Sequence, residues 1–386
     1  MPASLHQHTP SLIALDPRGL SVRQVAYYRQ NAHDVVQTRI NRQVFSPRGV
    51  LNEQWDPRLS ALHETDTRVR PNQRMNYSLS GRLLLRDSVD QGQGISWLGN
   101  CGQVIRQWDS RGACQTFEYD HSLRLTRVSE QASDEGVPTV VEQLTYGSPT
   151  PGEAMRNRCG RLMTHADPAG DLRFESYDVL GQLTKQIRRF CDEQQDSTGH
   201  ASTWRYQASG ELAEQIDAKG NLQRTSYAVD GLLANVSVTL AHGSAQTLLE
   251  QRVYSACGQV LSERAGNGVV SKLEYNALDQ RLQRLRSYRS GKAEEPLQDL
   301  TYTYDRVGNV LSVSDAAQPV QWFDNSRTEA QNTYRYDSLY RLIEATGRES
   351  TRASIGPGLL DALPFISTQA NLCRHYRQSY RYDASG

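Results

Sequence analysis

The stretch Asn332-Thr-Tyr-Arg-Tyr-Asp-Ser-Leu-Tyr-Arg-Leu-Ile-Glu-Ala-Thr-Gly347 decides the fold of this chain. Tyr334 and Tyr336 share one face of a period-two run, Asp337 opens a turn, and Leu342 falls six residues after Tyr336. Alternation on both sides of a turn residue is typical of a β-hairpin. We therefore expect two short antiparallel strands that meet at Asp337.

The same pattern recurs along all 386 residues, and this internal repetition is the main feature of the sequence. A repeat has an aromatic residue at position 0, a turn residue at +1, Gly at +4 and Leu or Val at +6. Complete matches are Tyr77/Gly81/Leu83, Tyr177/Gly181/Leu183, Tyr206/Gly210/Leu212, Tyr227/Gly231/Leu233, Tyr254/Gly258/Val260 and Tyr304/Gly308/Val310, and Tyr382 and Gly386 begin another. Partial matches with another apolar residue at or near position 0 include Leu15/Gly19, Phe45/Gly49, Leu98/Gly102/Val104, Ala166/Gly170/Leu172 and Ile216/Gly220/Leu222.

The spacing of the repeat predicts a specific turn. Asp-x-x-Gly suits a type I turn followed by a G1 bulge, because Asp can hydrogen-bond to the backbone and Gly can adopt positive φ. In that hairpin the residue at position 0 lies opposite the residue at +6, so each tyrosine faces its leucine across the strands. Leu123 and Tyr340 occupy the Gly position, and Leu282 comes one residue late after Tyr275. We expect a different turn in those three hairpins.

The repeats predict an all-β fold of antiparallel hairpins that form one curved, spiralling sheet. Roughly thirty short strands do not remain one flat sheet, because strand twist makes sheets beyond about ten strands curl or split. Since each repeat buries its apolar face against a neighbour, we expect residues 1–386 to form a single repeat region. Looser loops are predicted near 129–158 and 349–371, where Pro and Gly interrupt the pattern. The sequence stops inside the turn that follows Tyr382, which we interpret as a truncated region.

Composition restricts the expected partners. Lys plus Arg equals Asp plus Glu at 43 each, so the net charge of zero gives no reason to expect nucleic acid or an anionic membrane. No apolar run is long enough to span a bilayer, and residues 1–20 lack the features of a classical signal peptide. We expect secretion by a route without such a peptide, or a cytoplasmic location before release. Six cysteines without a C-x-x-C pair argue against a disulfide framework or a zinc site.

No candidate catalytic, cofactor-binding or metal-binding residues emerge from the motifs. His6 and His8 lie in a polar tail and His200 follows an acidic run, so solvated loops explain them better than metal ligation. The repeated aspartates are already explained by their turn position. There is no H-E-x-x-H, G-x-S-x-G or G-x-x-x-x-G-K-[ST] motif. We therefore expect a non-enzymatic protein without a cofactor.

Several of these segments resemble the YD repeats of the Rhs family. Asp16-Pro-Arg-Gly-Leu-Ser-Val-Arg23, Asp56-Pro-Arg-Leu59, Tyr304-Asp-Arg-Val-Gly-Asn-Val310 and residues 332–349 are similar to the N-terminal part of the C component of insecticidal toxin complexes (TccC-like). The resemblance covers residues 9–386. It implies a shell that encloses a toxin polypeptide together with a B component, while an A component supplies the pore. The closing core, self-cleavage site and variable toxin of complete family members are not found before Gly386.

A second hypothesis belongs to a different functional class. Exposed aromatic rings also stack on sugars, so a surface adhesin or carbohydrate-binding module remains open as the alternative. Trp97, Trp204 and Trp322 are the candidates if they are exposed. Cross-strand packing explains the spacing of the tyrosines without a ligand, and we therefore favour the shell.

Overall fold

The computed structural model describes residues 5–133, 136–191, 199–323, 326–350 and 373–386. These residues form 29 strands and two short helices, so the all-β prediction is confirmed. The strands are β1 Leu12–Leu15, β2 Ser21–Tyr28, β3 Gln37–Phe45, β4 Leu51–Trp55, β5 Gln73–Tyr77, β6 Leu83–Ser88, β7 Gly92–Leu98, β8 Val104–Trp108, β9 Cys114–Tyr119, β10 Leu125–Gln131, β11 Thr139–Tyr146, β12 Leu162–Asp167, β13 Gly170–Tyr177, β14 Leu183–Phe190, β15 His200–Tyr206, β16 Leu212–Ile216, β17 Leu222–Tyr227, β18 Leu233–Thr239, β19 Ala245–Tyr254, β20 Val260–Ala265, β21 Val269–Tyr275, β22 Leu282–Arg289, β23 Pro296–Tyr304, β24 Val310–Asp315, β25 Gln321–Phe323, β26 Ser326–Thr328, β27 Gln331–Tyr336, β28 Leu342–Ser350 and β29 Cys373–Ser379; the helices are α1 Pro57–Thr65 and α2 Pro151–Ala154.

Twenty-seven of the described strands form one open antiparallel sheet in which each strand pairs with its neighbours in the chain. β25 and β26 form a separate two-stranded hairpin, and β24 pairs directly with β27. Because consecutive strands run in opposite directions, the sheet is a long strip with two edges. The turn edge carries the repeat turns, such as that between β5 and β6, and the loop edge carries the connections between hairpins, such as that between β2 and β3.

The strip is one layer thick and has little core. Its accessible surface is 25469 Å², against about 15,000 Å² expected for a compact monomer of 43.4 kDa. The buried apolar side chains of the described residues are Trp55, Met75, Cys114, Val128, Leu249, Ile343 and Ala345. Contacts between neighbouring hairpins therefore hold most of the fold together.

Neighbouring hairpins splay apart at the turn edge. Within a hairpin the paired residues reach the turn, as in Tyr304 opposite Val310. Between hairpins the pairing stops short of that edge: β8 and β9 pair only from Arg106–Thr116 to Trp108–Cys114. The same shortfall occurs at the other junctions between successive repeat hairpins in the described sheet. A strip that is wider along one edge curves, which agrees with the predicted spiral.

The structure describes most of the predicted loop region 129–158 but little of the region 349–371. Residues 129–158 contain the end of β10, β11 and α2, in which Thr150 caps the helix through Glu153 N. Of the other region, Glu349 and Ser350 belong to β28, and 351–371 lie outside the described residues.

Helix α1 was not predicted from the sequence. Asp56 is its N-cap and accepts a hydrogen bond from Leu59 N at 2.8 Å, and Pro57 follows in the first turn. The helix covers Trp55, whose ring lies 4.4 Å from that of His63. Neither helix in the described part of the chain has the length and apolar character needed to cross a membrane.

Candidate functional site

The turn between β1 and β2 has the predicted geometry. Asp16 N donates to Leu20 O at 2.9 Å, and Gly19 N donates to Asp16 O at 2.9 Å. The Asp16 carboxylate also accepts from Arg18 N and Leu20 N. Gly19 has a φ of 82°, which an L-residue adopts only at a cost. The motif is therefore a type I turn with a G1 bulge, as expected.

The expectation of a different turn at Leu123 and Tyr340 is wrong. Both residues adopt positive φ, 59° and 63°, and both N–H groups donate to the aspartate at +1, as the glycines do. The Asp side-chain hydrogen bonds and the Tyr–Leu pair are enough to impose the turn on a residue that disfavours it. Only the hairpin after Tyr275 departs as predicted, with a longer turn in which Gln280 N donates to Asn276 O.

The predicted cross-strand pairs between positions 0 and +6 are confirmed. Tyr336 lies opposite Leu342 and Tyr227 lies opposite Leu233, with a register shift at each tyrosine. We call the sheet surface that carries the tyrosines at position 0 the tyrosine face. Other pairs of this kind are Tyr77–Leu83, Tyr119–Leu125, Tyr177–Leu183, Tyr206–Leu212, Tyr254–Val260, Tyr275–Leu282 and Tyr304–Val310.

The tyrosine hydroxyl groups join successive hairpins, a role that sequence reasoning missed. Tyr304 Oη donates to Leu282 O at 2.7 Å, across the gap where β22 and β23 splay apart. The acceptor is the carbonyl of the residue that closes the preceding hairpin. The same bond, at 2.6–3.1 Å, joins Tyr119 to Val104, Tyr146 to Leu125, Tyr177 to Leu162, Tyr227 to Leu212, Tyr254 to Leu233, Tyr275 to Val260, Tyr336 to Val310 and Tyr382 to Leu342.

Long side chains at +5, or at +6 in the longer turn after Tyr275, hydrogen-bond to the neighbouring turn along the turn edge. Arg281 Nη1 donates to Asp305 O at 2.8 Å, and Gln182 Nε2 donates to Gly210 O at 2.8 Å. Arg82 contacts the carbonyl groups of Cys101 and Gly102. A Cβ atom on Gly102 would displace the Arg82 guanidinium, and the φ of 84° also favours glycine there.

Apolar side chains project into solvent from the tips of the turns. Val229 and Leu278 are fully exposed or nearly so, at 109% and 95%, and Leu79 and Val179 are also strongly exposed. All four lie at +2 or +3 of their repeats. A row of apolar groups along one edge is characteristic of a surface that another protein covers.

The turn between β27 and β28 shows such a tip covered. We call its contact with the loop between β2 and β3 the seam. Arg29 N donates to Ser338 Oγ at 2.8 Å across a separation of 309 residues, and Ser338 N donates back to Arg29 O at 3.1 Å. Asp337 and Ser338 are buried. We call one circuit of the spiralling strip a winding. The turn edge of one winding therefore contacts the loop edge of the winding before it.

A second contact continues the seam in the next hairpin. Arg58 of α1 forms an ion pair with Asp383, with Nη1 and Oδ2 2.8 Å apart. Between the two contacts, the Arg341 guanidinium lies over the rings of Tyr28 and Tyr382, at 5.2 and 4.7 Å. Successive hairpins of the second winding thus meet successive connections of the first.

The surface opposite the tyrosine face carries ion pairs that cross the strands, and we call it the charged face. Glu214 lies between Arg205 and Arg224 on the two flanking strands, each 2.9 Å from the carboxylate. Hydrogen bonds from Arg205 and Arg224 lower the pKa of Glu214 to about 2. A similar ladder joins Arg335, Glu344 and Arg377, so charges of opposite sign replace a hydrophobic second layer on this face.

A cavity of 1270 Å³ opens where the sheet curves between β6 and β11. Gln115 in its lining shares a face with Tyr119 by strand alternation, which places the cavity on the tyrosine face. Gln107 donates to Gln115 at 2.6 Å, and Gln115 donates to Glu130 at 2.6 Å. The lining combines aliphatic side chains with amides that can hydrogen-bond a polar polymer.

The three candidate tryptophans do not form one platform. Trp97 and Trp322 are 58% and 67% exposed, whereas Trp204 is half-buried. They lie on β7, β25 and β15, far apart in the order of the strands. Sequence spacing alone does not indicate this separation.

The candidate histidines make separate contacts. The rings of His6 and Tyr340 stack with centroids 4.8 Å apart, and His200 lies against Phe190. No group of three potential metal ligands was found among the described residues. Among the described residues, Cys101, Cys159, Cys191 and Cys257 are exposed free thiols and Cys114 is a buried one.

Comparison with known proteins found toxin subunits, although no family model matches. The whole chain is 31% identical over 409 residues to toxin subunit YenC1 of Yersinia entomophaga and 32% identical over 426 residues to YenC2 of the same species. It spans 42% and 43% of those two proteins. The chain therefore covers less than half the length of its curated relatives.

Solved structures share the fold as well as the sequence. The TcdB2-TccC3 structure superposes with a TM-score of 0.88 at 33% identity, over 99% of this chain and 19% of that one. The Tc holotoxin pore of Photorhabdus luminescens gives a TM-score of 0.89 at 32% identity, over 99% of this chain and 18% of that one. In sequence and fold, this chain is like the C component of a toxin complex.

Proposed function

We propose that this chain is a structural, non-enzymatic part of the wall of a toxin-complex C component, built from YD repeats of the Rhs type. The single observation that carries the proposal is the one-layer strip, whose second winding already rests on its first at the seam. Such a wall encloses a volume without a core of its own. Similarity to YenC1 and to TcdB2-TccC3 along the whole chain supports the same role.

The partner in direct contact is a B component, which covers the free turn edge of the first winding. Val229, Leu278, Leu79 and Val179 lie on that edge and expose apolar surface. At the seam, the tip of a similar turn is covered by the loop between β2 and β3. We propose that the B component covers the free tips in the same way. An A component is reached only through this assembly, and we propose no nucleic acid or membrane contact.

The cargo is an unfolded toxin polypeptide that lies against the tyrosine face. The cavity between β6 and β11 offers amide donors and acceptors beside aliphatic groups such as Leu84 and Val141. A surface of this kind accommodates varied sequences without selecting one. The protein leaves the cell without a classical signal peptide, or remains in the cytoplasm until release.

Co-expression with the B component of the same organism tests the proposal. We expect the two proteins to elute together in size-exclusion chromatography, and the double variant Val229→Asp/Leu278→Asp to elute separately because two charges are buried at the contact. Val137→Asp, which alters a valine that is 85% exposed on the loop edge, should retain the complex. Two well-folded proteins that never co-elute would contradict the proposal.

A further inference from the structure

A third segment of the chain, Leu5–His8, also contacts the seam. We call it the strap. The Arg29 guanidinium donates from Nε to Leu5 O and from Nη2 to Gln7 O, both at 2.6 Å. The intervening His6 side chain stacks on Tyr340 at 4.8 Å, with the ring planes 24° apart. Arg29 is only 7% exposed, so the strap lies on a buried guanidinium, and the two hydrogen bonds are part-buried.

The geometry points to a peptide-binding cradle: we infer that Arg29 and Tyr340 bind a peptide turn through two backbone carbonyls and the ring between them. A guanidinium has a rigid fork of donors, which suits two acceptors at fixed spacing. The strap forms a turn, with His8 at a φ of 60°, and this turn brings the carbonyl groups of Leu5 and Gln7 to the same guanidinium. In this chain the strap fills the cradle with Leu5, His6 and Gln7.

The cradle is shared by both windings, so filling it fastens one to the other. Arg29 belongs to the first winding, whereas Tyr340 lies in the turn of the second winding that contains Ser338. When the strap is bound, it contacts both at once. When it leaves, the buried Arg29 guanidinium loses its two short bonds and the Tyr340 ring loses its stacking partner, which weakens the seam.

The backbone of Tyr340 is consistent with this role. Most repeat turns have glycine at the corresponding position, yet Tyr340 adopts a φ of 63° with a large side chain. Such strain persists where the surrounding contacts compensate for it. The stacked His6 ring is a contact that glycine could not provide. This inference does not depend on the toxin-complex role, because it concerns contacts within the chain.

Hydrogen exchange on the full-length protein tests the cradle. We compare the wild type with a variant in which Leu5–His8 is replaced by Gly-Ser-Gly-Ser. The amide of Ser338, which donates to Arg29 O, should exchange about tenfold faster in the variant. The amide of Gly210, in a turn far from the seam along the strip, should be unchanged and serves as the internal control.

Rescue in trans separates a binding site from a general loss of packing. A synthetic peptide Leu-His-Gln-His-Thr-Pro, with the sequence of residues 5–10, should restore protection of Ser338 at millimolar concentration. The same peptide with alanine in place of its first histidine should restore less. Unchanged exchange in the replaced variant, or equal rescue by both peptides, would overturn the inference. In the wild type, Arg29→Lys should also speed exchange at Ser338, because lysine lacks the fork of donors.

Discussion

At the scale of the residue, the tyrosine at position 0 has two roles that a single substitution can separate. Its ring pairs with the residue at +6 of its own hairpin, and its hydroxyl donates to the hairpin before. Tyr177 shows both, opposite Leu183 and with Oη 2.6 Å from Leu162 O. The ring gives packing, whereas the hydroxyl closes the gap left by the splayed ladder.

Tyr177→Phe should lower the free energy of unfolding by about 0.5–1.5 kcal/mol, because the ring remains and one hydrogen bond is lost. Urea unfolding followed by circular dichroism measures the change. Tyr206→Phe is the matched control, since the structure shows no hydroxyl bond for Tyr206 within the described residues. Equal losses for the two variants would mean that the hydroxyl bond contributes nothing.

The phenol also makes this contribution sensitive to alkaline pH. Burial raises the pKa of Tyr177 above its ordinary value of 10.0. The unfolded chain therefore loses this proton at lower pH than the folded chain does. The stabilisation is complete below pH 10 and falls as pH rises through the folded pKa, so the difference between wild type and Tyr177→Phe should shrink in that range.

Sequence reasoning predicted the ring contact and missed the hydroxyl contact for a physical reason. The turn fixes which residue lies opposite Tyr177, and a turn is local. The carbonyl of Leu162 belongs to another hairpin, and its position depends on how far the hairpins splay. At Tyr340 the missing glycine led to the wrong prediction of a different turn, because glycine is the preferred residue in that turn and not an obligatory one.

At the scale of the element, the charged face stabilises neighbouring strands through ladders of ion pairs. Glu214 on β16 joins Arg205 on β15 and Arg224 on β17. These pairs cross from strand to strand, so each reinforces the ladder of backbone hydrogen bonds beside it. The sequence analysis did not identify these ion pairs, because the choice of partners depends on the register between strands.

Glu214→Gln should reduce the dependence of stability on pH in the acid range. The folded pKa of Glu214 is about 2, against an ordinary value of 4.5, so its contribution is present above pH 4.5 and is lost as pH falls towards 2. Thermal unfolding between pH 5 and pH 2 should show a flatter profile for the variant. Glu250→Gln, which removes a single longer contact of 3.7 Å to Arg264, should keep the wild-type slope. A slope unchanged by Glu214→Gln would refute the assignment.

Helix α1 was absent from the sequence-based prediction although its signal was present. Asp56 followed by Pro57 is a combination typical of a helix start. The same Asp-Pro pair also begins the turn at Asp16, so the pair alone does not distinguish a helix from a turn. What distinguishes them is that Leu59 follows Arg58, at the position where most repeat turns have glycine.

At the scale of the whole molecule, the strip behaves as a linear array that is joined to itself once. Strand contacts in the described sheet connect chain neighbours, and the seam connects residues 309 apart. Sequence repetition predicted the array and its curvature. It did not predict the seam, because the number of hairpins per winding depends on the small splay at each junction, and small angles accumulate.

The array predicts how a local defect spreads. Ile343→Ala removes a buried side chain of β28 that is 4% exposed, and in compact cores such changes cost about 2–5 kcal/mol. In a one-layer strip the damage should reach only nearest neighbours. Hydrogen exchange should therefore accelerate in β27–β29 and, through the seam, in the loop between β2 and β3, with no change in β13–β18.

Val128→Ala is the matched control, since Val128 is equally buried at 6% but lies on β10, away from the seam. It should accelerate exchange in β9–β11 and leave the loop between β2 and β3 protected. The two variants thus differ at a loop that is distant in sequence from both sites, and only a contact between windings makes that loop respond to Ile343. If Ile343→Ala left the loop unaffected, or if either variant exposed all strands together, the description of the wall as a singly fastened array would fail.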